Sequence, residues 1–226
     1  MKGTRTRAAR VSGADRGGIA FAFAIAMLAG APARGDGLEA AALQRALPGE
    51  PRELVQRLLE DKVVLVSGWT GRREHGAAAA RALVLFAQPR DRVVQLMLQT
   101  DRQLEYRPEV AKLDTVERSP DGVVMAQEIR IMLTPIRFWL RYRWDAPAGR
   151  ISWSLDPRFP NDVRFLEGYW ELQAVDAEHT MGRTGTQVDV GQAMPAFLQD
   201  AATRNNLHDT LDRCRRWIDS DGRYRP

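Results

Sequence analysis

Five side chains in this sequence are candidates for moving protons: Tyr106, Glu128, Arg130, Tyr142 and His208. A cyclising enzyme needs little more than one or two such acid/base groups and a pocket that folds a reactive chain against them. Each of the five also has a plainer use, as a hydrogen bond at a pocket rim or as a surface charge. No stronger constellation stands beside them. The histidines, His75, His179 and His208, fall in a loop, a turn and a helix. None has a Cys, His or carboxylate at the spacing of metal ligands, so no metal is expected. No glycine-rich phosphate loop follows a strand and there is no G-x-S-x-G turn, so no cofactor is expected either. The single cysteine, Cys214, lies among helical apolar residues and reads as a buried core thiol.

The scaffold for these groups is a chain of 226 residues, 44% hydrophobic and 27% charged. That composition excludes wholesale disorder and a polytopic membrane protein. The net charge is +4. Residues 1–33 carry Lys2, Arg5, Arg7, Arg10 and Arg16 against Asp15 alone, and so account for all of it. The rest of the chain is neutral, which gives no reason to expect a nucleic-acid partner.

The same N-terminal segment has the layout of a secretory signal. Residues 1–16 are basic and polar, residues 17–31 are apolar and uncharged, and Ala31-Pro32-Ala33 places small residues where a signal peptidase cuts. The apolar run is shorter than the roughly 20 residues that cross a bilayer as a helix. The expectation is a signal peptide at 1–33 and a periplasmic or secreted protein. The alternative is an N-terminal membrane anchor.

Residues 34–61 read as a helical extension. Leu38, Ala41, Ala42, Leu43 and Leu47 form one stripe, Pro48-Gly49 breaks it, and Leu54, Val55, Leu58 and Leu59 resume it. Two β-rich runs follow, at 62–67 and 82–87, and Pro89 then opens a helix carrying Val93, Val94, Leu96 and Met97 that should stop near Asp101. From residue 112 to 190 the pattern changes to period two. Six runs, at 112–118, 122–133, 136–144, 150–155, 163–172 and 180–190, are separated by turn signals such as Ser119-Pro120-Asp121-Gly122 and Asp145-Ala146-Pro147-Ala148-Gly149. Six consecutive strands with short connections predict an antiparallel meander. Pro195 opens a long helix to about Ser220, with Met194, Phe197, Leu198 and Ala201 on the apolar face of its first half and Leu207, Leu211, Cys214 and Ile218 on that of its second. Residues 221–226 read as a disordered tail.

The strand faces are unequal. Ile136, Phe138, Leu140, Tyr142 and Trp144 share one face of their strand, while Arg137, Trp139, Arg141 and Arg143 share the other. Ile151, Trp153 and Leu155, and then Leu166, Gly168, Trp170 and Leu172, continue the apolar face. Such a sheet has one greasy side and one wet side. Arg141 and Arg143 set opposite Glu167 and Glu171 would make a charge ladder on the wet side. On the greasy side Gly168 leaves room between Leu166 and Trp170. Asn205 falls on the inner side of the last helix, where its amide needs a partner from the protein, a water or a ligand.

Several local phrases occur together: Ala87-Gln88-Pro89, Tyr106-Arg107-Pro108-Glu109-Val110, Arg150-Ile151-Ser152-Trp153-Ser154-Leu155, Gly168-Tyr169-Trp170-Glu171-Leu172, and Val188-Asp189-Val190-Gly191 before Met194-Pro195-Ala196-Phe197-Leu198. In this order, over residues 78–220, the chain resembles the START-like helix-grip (SRPBCC) superfamily of polyketide cyclase/dehydrase and coenzyme Q-binding domains. The resemblance implies an α+β fold in which a curved antiparallel sheet, here within residues 62–220, wraps a long C-terminal helix around a hydrophobic cavity. It implies a hydrophobic small-molecule ligand such as a lipid, quinone or sterol, with transient membrane contact for loading, or else cyclase chemistry in the same cavity. The expected lining is Tyr106, Phe138, Leu140, Tyr142, Trp153, Gly168, Trp170, Met194, Phe197, Leu198 and Asn205. On this reading Gly168→Trp plugs the cavity and leaves the fold intact.

Overall fold

A computed structural model describes residues 38, 40–66, 78–131, 134–189 and 196–226, with only the backbone of 78, 131, 134 and 196–206. The expected signal segment, His75 and Met194 lie outside the described residues, as do the side chains of Phe197, Leu198 and Asn205.

The predicted meander is present. Strands β3 (Val110–Ser119), β4 (Gly122–Ile131), β5 (Thr134–Asp145), β6 (Arg150–Leu155), β7 (Phe165–Ala174) and β8 (Thr180–Asp189) pair antiparallel in sequence order. The first two strands, β1 (Val63–Val66) and β2 (Ala78–Phe86), join beyond β8, so the eight-stranded sheet runs β1-β2-β8-β7-β6-β5-β4-β3 and does not close. β2 is buried on both faces. Val84 and Phe86 face Leu211, Trp217 and Ile218 of the last helix. Leu83 and Leu85 face Leu43, Leu47, Val55 and Leu58 of the N-terminal extension. That double burial is why residues 82–87 read as a continuous apolar run and not as an alternation.

The extension forms two short helices, α1 (Ala40–Ala46) and α2 (Arg52–Asp61), interrupted as expected at Pro48-Gly49, where Gly49 takes φ +85°. Helix α3 (Arg90–Met97) starts at Pro89, whose carbonyl accepts from Arg92 and Val93 N–H. It stops short of Asp101. A 3₁₀ segment, Thr100–Glu105, carries the chain into β3. Helix α4 (Ala196–Asp219) is the predicted long helix. Its Trp217 is fully buried, donates Nε1–H to Glu105 Oε2 at 2.9 Å, lies 5.0 Å from the Tyr106 ring and carries the Arg102 guanidinium over its face at 4.9 Å. These contacts tie the 3₁₀ segment to α4 and so position Gln103 and Tyr106.

Two expectations are corrected. The last residues are not a disordered tail. Gly222 N–H donates to Trp217 O at 2.7 Å, Arg102 donates to Gly222 O, Arg225 pairs with Glu105 at 2.9 Å and Tyr224 packs against the core. The wet-face ladder is not formed either, because β6 lies between β5 and β7. Arg141 and Arg143 stand opposite Ser154 and Ser152. Arg141 pairs instead with Asp156, and Glu171 with Arg150 and Arg183.

Candidate ligand-binding cavity

Period two places Met125, Gln127 and Ile129 of β4, and Ile136, Phe138, Leu140 and Tyr142 of β5, on the concave side of the sheet. Ile151 and Trp153 of β6, Leu166 and Trp170 of β7, and Thr184, Thr186 and Val188 of β8 continue that surface. Helix α4 packs closely on β1 and β2. Among the described residues, side chains from the sheet and from α4 do not meet everywhere, and a cavity of about 510 Å³ remains. Among the described side chains, α4 contributes Leu207, Asp209, Thr210, Leu211, Arg213 and Cys214 to its walls, and Met97, Thr100, Gln103, Tyr106 and Arg107 line it as well. The exposed lining residues Pro108, Arg130 and Asp209 mark where it meets solvent. Such a volume is in the range that holds a small organic ligand.

Of the residues expected to line a cavity, Tyr106, Phe138, Leu140, Tyr142, Trp153 and Trp170 do so. Gly168 does not. Its inner face is covered by the Trp153 indole, and a Cβ built there would clash with that ring and fall 2.7 Å from the Gly185 carbonyl oxygen. The glycine therefore gives room to a neighbouring side chain and not to a guest, so Gly168→Trp cannot plug the cavity without breaking the β6–β7 packing. Gly168→Ala is expected to lower stability by about 1–3 kcal/mol through overpacking. Urea unfolding measures this, and an unchanged midpoint would place the indole elsewhere.

A polar cluster, missed in the sequence, occupies one wall. Arg107 Nε donates to Glu109 Oε1 at 2.9 Å and its Nη1 to Gln103 Oε1 at 2.8 Å. Gln103 Nε2 and Gln127 Nε2 both donate to the Tyr142 hydroxyl, at 3.5 and 3.1 Å. Arg213 Nη2 stands 3.5 Å from Glu109 Oε2, and Thr210 donates to Glu109 Oε1 at 3.4 Å. Gln127 was legible in principle, since it interrupts the apolar alternation of Met125 and Ile129. Gln103 had no such signal, because a 3₁₀ segment carries no period-two face.

The five candidate proton carriers separate. Glu128 points to the outer face, where Arg137 at 2.9 Å and Lys112 at 3.6 Å hold its carboxyl below the usual range. His208 is half-exposed beside Asp209 and does not line the cavity. Arg130 stands at the rim. Tyr106 and Tyr142 remain inside. Burial pushes the Tyr106 hydroxyl well above its ordinary value and the neighbouring Cys214 thiol up to about 12, so both stay protonated near neutral pH. Cys214 is buried as expected, and it also forms part of the cavity wall. Among the described residues no group of three or more His, Cys, Asp or Glu is placed to hold a metal ion.

An open, curved antiparallel sheet gripping a long C-terminal helix around a cavity defines the START-like helix-grip fold. Solved structures bear this out. A STAR-related lipid transfer protein from Xanthomonas axonopodis superimposes with a TM-score of 0.56 at 16% identity, covering 70% of this chain and 98% of that one. A START superfamily protein from Mycobacterium smegmatis gives 0.54 at 12% identity, covering 63% and 97%. The Zhui aromatase/cyclase from Streptomyces sp. R1128 gives 0.52 at 17% identity, covering 63% and 96%. No protein-family model and no curated protein matches the sequence.

Proposed function

We propose that this chain is an exported protein that binds an apolar small molecule, of the lipid, quinone or sterol kind, and carries it. The observation behind this reading is the cavity of about 510 Å³ walled by Phe138, Leu140, Ile151, Trp153, Leu166 and Trp170. A guest with ten buried methylenes gains about 8 kcal/mol over water, at ~0.8 per methylene. It gains a similar amount in a bilayer, so exchange between the two is nearly balanced and suits loading and unloading. The solved neighbours include a protein named for lipid transfer and one named for aromatase/cyclase activity, so both uses of the fold are represented. Binding is favoured over turnover here because Glu128 and His208 lie off the cavity and burial holds the proton of Tyr106. Among the described residues the exposed large apolar side chains are Leu104 and Val116, which do not support the membrane contact expected for loading.

Export rests on the basic, apolar and small-residue order of residues 1–33. Among the described residues no helix is long and apolar enough to cross a membrane. One preparation tests both halves of the proposal. The protein is recovered from the producing cells' envelope or medium, its intact mass is measured, and an organic extract is analysed by mass spectrometry. The expected results are a chain beginning at Arg34, a co-purified apolar molecule, and saturable uptake of N-phenyl-1-naphthylamine after extraction. Retention of the full chain inside the cell overturns export. An empty protein that takes up no probe overturns binding.

A further inference from the structure

Resting on the reading of the cavity as a binding site, we infer that its guest carries a neutral hydroxyl group, seated against Gln127 and Tyr142. Gln127 is 3% exposed and lines the cavity, yet its Oε1 has no hydrogen-bond partner. Thr100, 2% exposed on the same cavity, has an unpartnered Oγ1 as well. Buried polar atoms are nearly always paired, and leaving one unpaired is costly. These atoms are therefore those a guest is expected to satisfy.

The donors and acceptors specify the group. Tyr142 is 7% exposed and accepts from both Gln103 and Gln127, so its own O–H proton is unspent. Beside it stands the free acceptor on Gln127. A hydroxyl fits both, accepting from Tyr142 and donating to Gln127 Oε1. With the Gln127 amide turned over, Tyr142 would donate to Oε1 and the free group would be an N–H₂ that any oxygen acceptor satisfies, so it is the observed orientation, with Nε2 toward Tyr142, that specifies a hydroxyl. An ether or ester accepts but leaves Oε1 unpaired. A hydrocarbon leaves both groups unpaired. A carboxylate brings a charge to a seat of amides and hydroxyls, while the guanidinium groups of Arg107 and Arg213 on the same cavity already face the Glu109 carboxylate, at 2.9 and 3.5 Å.

The test uses the full chain at pH 7 and three probes of one shape, 2-naphthol, naphthalene and 2-naphthoate, each displacing N-phenyl-1-naphthylamine. The naphthol is expected to bind about tenfold more tightly than naphthalene or naphthoate, the margin of one well-made hydrogen-bonded group. In Gln127→Leu that margin is expected to fall to about twofold or less, as the wall no longer offers an acceptor. Tyr142→Phe, which removes a single oxygen, serves the same purpose if Gln127→Leu does not fold. Equal binding of naphthol and naphthalene overturns the inference, and so does tightest binding of the naphthoate. A full naphthol advantage in a folded Gln127→Leu or Tyr142→Phe overturns the placement. Failure of N-phenyl-1-naphthylamine itself to bind is a different result, and it sinks the reading of the cavity as a site.

Discussion

The double variant Val188→Trp with Leu207→Trp loses uptake of N-phenyl-1-naphthylamine by at least about a hundredfold, or ~2.8 kcal/mol at 1.4 per tenfold, and keeps the far-ultraviolet circular dichroism of the folded protein. Val188 on β8 and Leu207 on α4 both line the cavity, and both are only partly buried. Each packs on one side against the buried core and borders the cavity on the other, so larger groups there extend into space that a guest would use. The situation differs from that of Phe138 or Leu140, which are 3% exposed and already pressed into the β4–β6 core. Enlarging those would force neighbours off their rotamers, at a cost of about 1–3 kcal/mol in stability. Val116→Trp, on the exposed edge strand β3, controls for the addition of an indole. A folded double variant with unchanged affinity would show that the guest sits elsewhere.

Asp156→Asn is expected to destabilise the protein by about 2–4 kcal/mol at pH 7, the scale of breaking a buried ion pair discounted for its partly exposed arginines. The Asp156 side chain is wholly buried. Arg158 reaches its carboxylate at 2.7 Å and Arg141 at 3.0 Å, and Arg158 N–H donates to it at 3.1 Å. Arg158 also pairs with Glu117 of β3 at 2.8 Å, so the cluster clips the β6–β7 connection to the far edge of the sheet. The same connection places Asn161 Oδ1 on Trp139 N–H and Asp162 on Arg137 N–H, and it leads into Val163 of the cavity wall.

The pH dependence follows from the sign of the shift. Hydrogen bonds from Arg158, then from Arg141, hold the Asp156 carboxyl far below its usual range despite its burial. A carboxyl whose folded value is depressed contributes its full stability above the unfolded value of about 3.9, and loses it as pH falls toward the folded value. The gap between wild type and Asp156→Asn is therefore flat from pH 8 to pH 5 and narrows below about pH 4. Urea unfolding at pH 7 and at pH 3 measures it. A gap under about 0.5 kcal/mol at pH 7, the size of an exposed pair, would mean that the cluster is structurally idle.

Much of the architecture was readable along the chain, because strand pleat and helix pitch are local. The alternation of Ile136, Phe138, Leu140 and Tyr142 with Arg137, Trp139, Arg141 and Arg143 predicted which side of β5 is buried. Turn signals such as Ser119-Pro120-Asp121-Gly122 and Asp145-Ala146-Pro147-Ala148-Gly149 divided the meander, and Pro89 marked the start of α3. Strand neighbours were less secure. Arg141 and Glu171 have complementary charges, but pairing depends on which strand lies between them, and β6 does.

Periodicity predicted a greasy face and could not say whether that face is filled. Gly168 shows the difference, since the space it leaves is taken by the Trp153 indole from the adjacent strand. The hollow opens instead between β4–β8 and the 207–214 stretch of α4. Likewise nothing in the sequence joins Gln103, Gln127 and Tyr142, which come from a 3₁₀ segment and two strands to share one hydroxyl. Residue type and spacing determined the elements and their buried faces, because those follow from backbone geometry a few residues at a time. The cavity and its polar wall were decided by the tertiary structure alone, because empty space is what remains after every side-chain volume has been placed in three dimensions.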